Sequence, residues 1–355
     1  MSAKKITIQD IARHAKVSAG TVDRVIHNRG KVSADKKRRI EEAVKEHNYN
    51  PNMLARALSM RNQFTVCGLF PQISSENEYW QLPKQGAEQA AEGFKDFGFT
   101  LEIFYFSLFD ESSFIEQANK IIRLNPDGVI LAPLFIKESI LFVKKLEKNK
   151  IPYVFIDATI PNQKNISYIG PNAERSGFVA GKLMKSMIRS GEQILVLNIV
   201  KGMENSSNLS LIEKGFRNYF EENFTEQEHS INTLIITSTD ETIIFQELTK
   251  YYIKNPNIKG VFVTTSKSHL VAGFHLNHEL NIRLIGFDLV EGNIYRLRDG
   301  SIDWIISQSP IQQGACAVKT LFDLFVYKTE PKKTQYVPLD IIVRENLDYY
   351  IDFQQ

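Results

Sequence analysis

From Phe64 onward the chain alternates short apolar runs with amphipathic helical stretches, and it does so twice over. The runs are "FTVCGLF", "FTLEIFYF", "GVILA", "PYVFI", "QILVLNI", "NTLIIT", "GVFVTT" and "IRLIGFD". They are continuous rather than alternating, which fits parallel strands buried on both faces. Between them the spacing predicts helices, for example over Tyr79–Phe97, Phe114–Leu124 and Ala173–Ile188. Strand and helix in regular alternation form a doubly wound α/β sheet, so the repeat predicts two such lobes. Ligands of these sheets bind beyond the carboxyl ends of the strands, here between the lobes.

The first sixty residues follow a different rule. Residues 1–62 hold fourteen Lys and Arg against six Asp and Glu, a net +8, whereas the remainder carries −6. A basic module on a mildly acidic body points to a polyanionic partner for the module alone, against the plainer reading of a solvated surface. The total of 355 residues exceeds one ordinary core. No apolar run reaches the roughly 18 residues of a membrane span. "MSAKKITIQD" lacks the apolar stretch of a secretory signal, so the expected location is cytoplasmic, at the nucleoid. Cys67 and Cys316 stand in apolar surroundings and read as free buried thiols, in no metal-ligand spacing.

Within the basic module, Thr7 and Asp10 stand at capping-box distance, and Ile8, Ile11, Ala12 and Ala15 share one helical face. "AKV" forms a tight turn. Ser18 caps a second helix that buries Val22, Val25 and Ile26, and Ser33 caps a third with Ile40, Ala43, Val44 and His47 inward. Three such helices make a helix-turn-helix, whose second helix enters a major groove. "YNPNMLARALSMRN" then predicts a short helix over Met53–Met60, capped by Asn52 and marginal in isolation, or else a plain linker.

The stretch from Ile6 to Arg61 resembles, without a gap, the DNA-binding head and hinge of the LacI/GalR family of bacterial transcription regulators. "NEYWQLPKQG", "PDGVILAP", "IPYVFID" and "RLIGFD" resemble the family's periplasmic-binding-protein-like (type I) effector body. The resemblance implies a helix-turn-helix head over 1–50, a hinge over 51–62 and a two-lobed effector-binding and dimerisation domain over 63–355. It places Ala19 and Gly20 at the main base-reading positions, Arg24 on the same helix, and Leu58 as the hinge wedge in the minor groove. Asn52, Ala55 and Arg56 belong to the same hinge.

Ala19 and Gly20 carry no side-chain hydrogen bonds, which shifts discrimination onto Arg24 and a guanine edge. Asp23 either accepts from a cytosine amino group or orients Arg24. Phosphate contacts are assigned to Thr7, Ser18, Thr21, His27, Asn28 and Lys31.

In the body, the resemblance implies that Tyr79 and Trp80 stack on a sugar face, the alternative being that both only cap the core. Asp157, Asn172, Thr265, Asp288 and Gln308 fall at strand ends or just beyond, where the family reads hydroxyls. Asp288 reads equally well as the cap of a helix near Gly292. Ala158 and Ile212 stand where relatives often carry Arg, and Thr265 where Asn or Asp is usual. Without two bidentate donors, a neutral polyhydroxylated effector is favoured over a phosphate or carboxylate, unless the pocket has drifted away from sugars. The chain is expected to cross between lobes near 160–170, 306–311 and 330–336.

"GFVAGK" has three residues between its glycines and no hydroxyl after Lys182, so it is no phosphate loop. No metalloprotease, nucleophile-elbow or zinc pattern occurs, and neither cofactor nor catalysis is expected. A transport protein for sugars would have no use for the basic head. The expectation is a ligand-responsive repressor or activator, a homodimer on double-stranded operator DNA, with no membrane partner.

Overall fold

The computed structural model describes residues 6–26, 32–47, 63–74, 77–200, 206–224 and 230–354. The chain divides into two compact units, Met1–Asn62 and Gln63–Gln355.

The first unit contains α1 (Ile8–His14), α2 (Ala19–Ile26) and α3 (Ala34–Glu46). The capping box forms: Thr7 N–H donates to Asp10 Oδ2 at 3.0 Å, and Asp10 N–H donates to Thr7 Oγ1 at 3.3 Å. Lys16 turns the chain between α1 and α2 with φ 53°. Ile11, Ala12, Ala15, Val22, Ile40 and Ala43 are the buried centre. Ser33 sits at the N-cap of α3, but its side chain makes no capping bond.

The second unit holds two six-stranded sheets. In chain order the strands of the first are β1 (Phe64–Pro71), β2 (Phe99–Phe106), β3 (Gly128–Leu131), β4 (Tyr153–Ile156) and β5 (Ser167–Gly170). Those of the second are β6 (Gln193–Ile199), β7 (Ser230–Ile236), β8 (Ile258–Val263), β9 (Arg283–Phe287) and β10 (Trp304–Ser307). Two short edge strands complete them, β11 (Thr334–Tyr336) and β12 (Asp340–Ile342). The orders β11-β5-β4-β3-β1-β2 and β12-β10-β9-β8-β6-β7 are one topology used twice. Every pairing is parallel except β10 with β12. Along β6, Leu195 and Leu197 enter one core while Ile194 and Val196 enter another, which is why the run reads as uniformly apolar.

The helices are α4 (Gln81–Gly93), α5 (Glu111–Leu124), α6 (Ile136–Lys148), α7 (Ala173–Met187), α8 (Ser206–Asn223), α9 (Glu241–Lys254), α10 (Ser268–Asn277), α11 (Glu291–Arg298), α12 (Pro310–Phe322) and α13 (Leu347–Gln354). The helix expected over Tyr79–Phe97 is split into a 3-10 turn at Glu78–Trp80, α4, and a second turn at Lys95–Phe97 that Gly98 ends with φ 73°. Asp110 starts α5 earlier than its apolar pattern, by accepting from Ser112 N–H at 2.9 Å.

β5 belongs to the first lobe and α7 to the core of the second, so the first crossing falls at Pro171–Asn172, just beyond the expected 160–170. The others lie between β10 and α12 and between β11 and β12. Ser309 ties these two together, its hydroxyl donating to Pro338 O and to Asp340 Oδ2, each at 3.0 Å.

Each helix that follows a crossing is docked by a pair of glycines. On α12, a Cβ at Gly314 would overlap the carbonyl of Pro83, and one at Gly86 of α4 would overlap that of Ile311. The second lobe repeats the device, with Gly177 of α7 against Ile212 O and Gly215 of α8 against Glu174 O. "GFVAGK" is therefore helix-packing sequence within α7. Among the described residues no helix is long and apolar enough to cross a membrane.

Candidate functional site

The cleft between the sheets of the second unit is lined by Tyr79, Trp80, Asp157, Thr265, Asp288 and Gln308. The space within it that water can enter is about 170 Å³, and its mouth opens to solvent. Asp157 follows β4 and Asp288 follows β9, the equivalent strands of the two lobes.

A hydrogen-bonded path runs between these carboxylates. Tyr79 Oη donates to Asp157 Oδ1 at 2.8 Å. Gln313 Nε2 donates to Tyr79 Oη at 3.4 Å and to Gln308 O at 2.9 Å. Gln308 Nε2 in turn donates to both oxygens of Asp288, at 3.3 and 3.4 Å. Because Gln308 and Gln313 flank the crossing into α12, the path passes through the joint between lobes. Burial pushes the Asp157 carboxyl up to about 6, against the opposing hydrogen bond from Tyr79. Burial likewise raises Asp288 to about 7, with the charge of Asp157 adding to it. Tyr79 is held well above its ordinary range, first by burial and then by both carboxylates.

Tyr79 and Trp80 line the cleft and are also members of the first-lobe core. Trp80 meets Phe70 and Tyr79 edge to face, at 6.4 and 5.3 Å between centroids. The Thr265 hydroxyl is buried without a hydrogen-bond partner. Asn172 is not among the cleft residues. Its side chain caps α7, accepting from Arg175 N–H at 3.1 Å, and borders a separate surface hollow with Arg175 and Phe178. Asp288 is no helix cap, since the N-cap of α11 is Val290 and no side chain makes a capping bond there. Ile212 lines the cleft, and no arginine does so among the described residues.

Three residues escaped the sequence reading. Asn208 of α8 lines the cleft and donates from Nδ2 to Asp157 O at 3.2 Å, joining the second lobe to the first. It lies one helical turn before Ile212, so that periodicity held the signal. Asn293 is fully buried and donates from Nδ2 to Phe287 O, Asp288 O and Ser266 O at 2.8, 3.0 and 3.2 Å. It thereby fixes the two loops that carry Asp288 and Thr265. Gln313 is equally buried and carries the path described above. No sequence pattern marked either one.

In the first unit, Ser18, Gly20 and Arg24 are exposed along α2, Ala19, Thr21 and Asp23 are half-buried, and Val22 is fully buried. Ser18 Oγ accepts from Thr21 N–H at 3.3 Å and lies 2.9 Å from its hydroxyl. The exposed face of α2 thus combines hydroxyls, a glycine and one guanidinium. Thr7 is exposed at the start of α1. His27, Asn28, Lys31, Asn52, Ala55, Arg56 and Leu58 lie outside the described residues.

Residues 7–52 match the model of the bacterial regulatory proteins of the lacI family, and residues 68–329 match that of the periplasmic binding protein domain. The chain belongs to the LacI family of regulators. The ribose operon repressor of Halalkalibacterium halodurans is 24% identical over 357 residues, covering 96% of both chains. A solved structure described as a LacI transcriptional regulator from Bacteroides fragilis superposes with a TM-score of 0.73 at 27% identity, over 81% of this chain and all of that one. A glucose-galactose binding protein from Geobacillus stearothermophilus shares the fold, with a TM-score of 0.70 at 19% identity, over 81% of this chain and 99% of that one. This LacI-family protein is thus a DNA-binding regulator whose body has the architecture of sugar-binding proteins. The relatives are regulators and binding proteins rather than enzymes.

Proposed function

We propose that the protein is a homodimeric, cytoplasmic transcription regulator whose grip on a pseudo-palindromic operator is set by a neutral sugar or polyol in the cleft. Residues 1–50 form the reading head, 51–62 the hinge, and 63–355 the effector and dimerisation domain. The observation that carries the effector class is the lining of the cleft. Two buried carboxylates, the amides of Gln308 and Asn208 and the unpartnered Thr265 hydroxyl line it, with Tyr79 and Trp80 as an apolar floor; among the described residues its one cation is Lys267, a single point charge, and no guanidinium is there to grip an anion through two bonds. Carboxylates accept from hydroxyls, so Asp157 and Asp288 read a polyol from opposite lobes, and Thr265, Gln308 and Asn208 complete the set. The full-length ribose operon repressor relative makes a pentose the first compound to try.

Such a ligand draws the lobes together, and closure alters the spacing of two paired heads. Coupling of this kind is about 1–3 kcal/mol, some 5- to 150-fold in operator affinity. On DNA, Arg24 reads a guanine while Thr7, Ser18 and Thr21 hold phosphates. The chain binds its effector without transforming it.

Calorimetry of the full chain against neutral pentoses, hexoses and polyols, and against sugar phosphates, tests this reading. Saturable binding of a neutral compound that also shifts duplex retardation is expected. Tight binding of a sugar phosphate in preference to its neutral parent overturns it.

A further inference from the structure

The C-terminal ends of α1 and α3 bring together three side chains that neither the reading face nor the cleft uses. His14 Nε2 lies 3.0 Å from Glu46 Oε2, and His14 Nδ1 lies 3.1 Å from His47 Nε2. The two imidazoles meet edge to face, 4.4 Å between centroids and 87° between planes. One ligand atom from each of His14, Glu46 and His47 lies within 4.8 Å of the others. His14 and Glu46 are exposed and His47 is half-buried, so an ion reaches them from solvent.

We propose that His14, Glu46 and His47 bind a divalent transition-metal ion of borderline softness, Zn2+ or Ni2+, which clamps α1 to α3. Two imidazoles and a carboxylate are the donors that such ions select. Nitrogens that share one tetrahedral ion at ordinary bond lengths stand about 3.3 Å apart. An ion takes one nitrogen of His14: on Nδ1 it faces His47 Nε2, 3.1 Å away, and Glu46 leaves Nε2 and turns toward it, within the 4.8 Å that spans the three ligand atoms. Without an ion the three side chains form a hydrogen-bonded relay, Glu46 accepting from His14 Nε2–H and His14 Nδ1 accepting from His47 Nε2–H. A divalent ion replaces the single proton that those two nitrogens share and binds both lone pairs at once.

Three protein ligands leave coordination positions for water, so the site is an adjustable clamp rather than a closed structural zinc core. No ligand-spacing pattern announces it, because His14 is 32 and 33 residues from its partners. Only the packing of the head assembles the site. α2 rests on α1 and α3 through Val22, so the clamp stiffens the support of the reading helix.

The test is isothermal titration of untagged, chelator-stripped full-length protein with ZnCl2 or NiCl2 alone, at physiological salt. One saturable equivalent per chain is expected, lost in His14→Ala and in His47→Ala and weakened in Glu46→Gln. Far-UV dichroism establishes that each variant stays folded, and His14→Gln replaces His14→Ala if that one does not. Absence of saturable binding overturns the proposal. So does binding that is unchanged in the folded His14 and His47 variants, which would place the ion on other histidines. Neither result bears on the sugar reading of the cleft.

Discussion

Asp157 and Asp288 hold the same backbone conformation at equivalent strand ends of the two lobes, each with φ 65°. Each donates its N–H to the penultimate residue of the neighbouring strand, Asp157 to Ile169 O at 3.1 Å and Asp288 to Ile306 O at 3.0 Å. Non-glycine residues seldom adopt this left-handed region, and their surroundings must hold them there. Repetition of so particular a geometry ties it to the topology and turns both carboxylates toward one cleft.

Their burial yields a pH dependence of definite sign. Each carboxyl binds its proton more tightly folded than unfolded, where the ordinary value is 3.8 against about 6 for Asp157 and about 7 for Asp288. Between those limits the native state holds protons that the unfolded chain has lost. Their contribution is therefore full near pH 4, falls as pH rises through 6 and 7, and is flat above. The ligand-free body is expected to melt higher at pH 5.5 than at pH 8. A double Asp157→Asn, Asp288→Asn variant should flatten that slope while losing effector affinity, and parallel melting profiles for the two proteins would refute the assignment.

The glycine pairs predict where stability is most sensitive. Gly177→Ala and Gly314→Ala each push a methyl into backbone rather than into a movable side chain. Each should cost about 1–3 kcal/mol or more, as overpacking does. Urea denaturation at fixed pH would show the loss as a lower midpoint. Gly93→Ala on α4 meets nothing within 4 Å and serves as the neutral control.

Much of this architecture was readable from the residues, and the exceptions have physical reasons. β1 to β4 and β6 to β9 announce themselves as continuous apolar runs. β5 and β10 are as long as β3 and β4, four residues each, but Ser167, Gly170 and Ser307 interrupt their apolar character, and β11 and β12 span three residues, too few to establish a period. Asp157 and Asp288 line the cleft because strand ends of this fold face it. Asn172 does not, because an asparagine before an apolar helix is also a cap, and there the Arg175 N–H claims its side chain. Asn293 and Gln313 lie on helices, and they matter only through the carbonyls and hydroxyl that tertiary packing brings to them.

Thr265→Val separates stability from binding. The hydroxyl is buried and unpaired, so replacing it with a methyl of similar shape should leave the ligand-free protein unchanged or slightly more stable. If the effector supplies the missing partner, its affinity should fall by about 0.5–1.5 kcal/mol, roughly two- to tenfold. Calorimetry with wild type and variant decides this. Unaltered affinity would remove Thr265 from the set of ligand contacts.

Arg24→Ala tests how the head reads sequence. Ala19 and Gly20 offer the groove no hydrogen-bonding side chain, and Arg24 is the exposed guanidinium on the described face of α2. A bidentate contact from arginine to guanine discriminates by about 1–3 kcal/mol. The variant should therefore relax preference at one base pair of each half-site, while other positions keep their ranking. A contact to phosphate would weaken every sequence alike and lower the salt dependence by about one counterion. Retardation of a duplex library with single substitutions, at two salt concentrations, distinguishes these. Uniform weakening would return discrimination to Asp23, the half-buried acid beside Arg24 on α2.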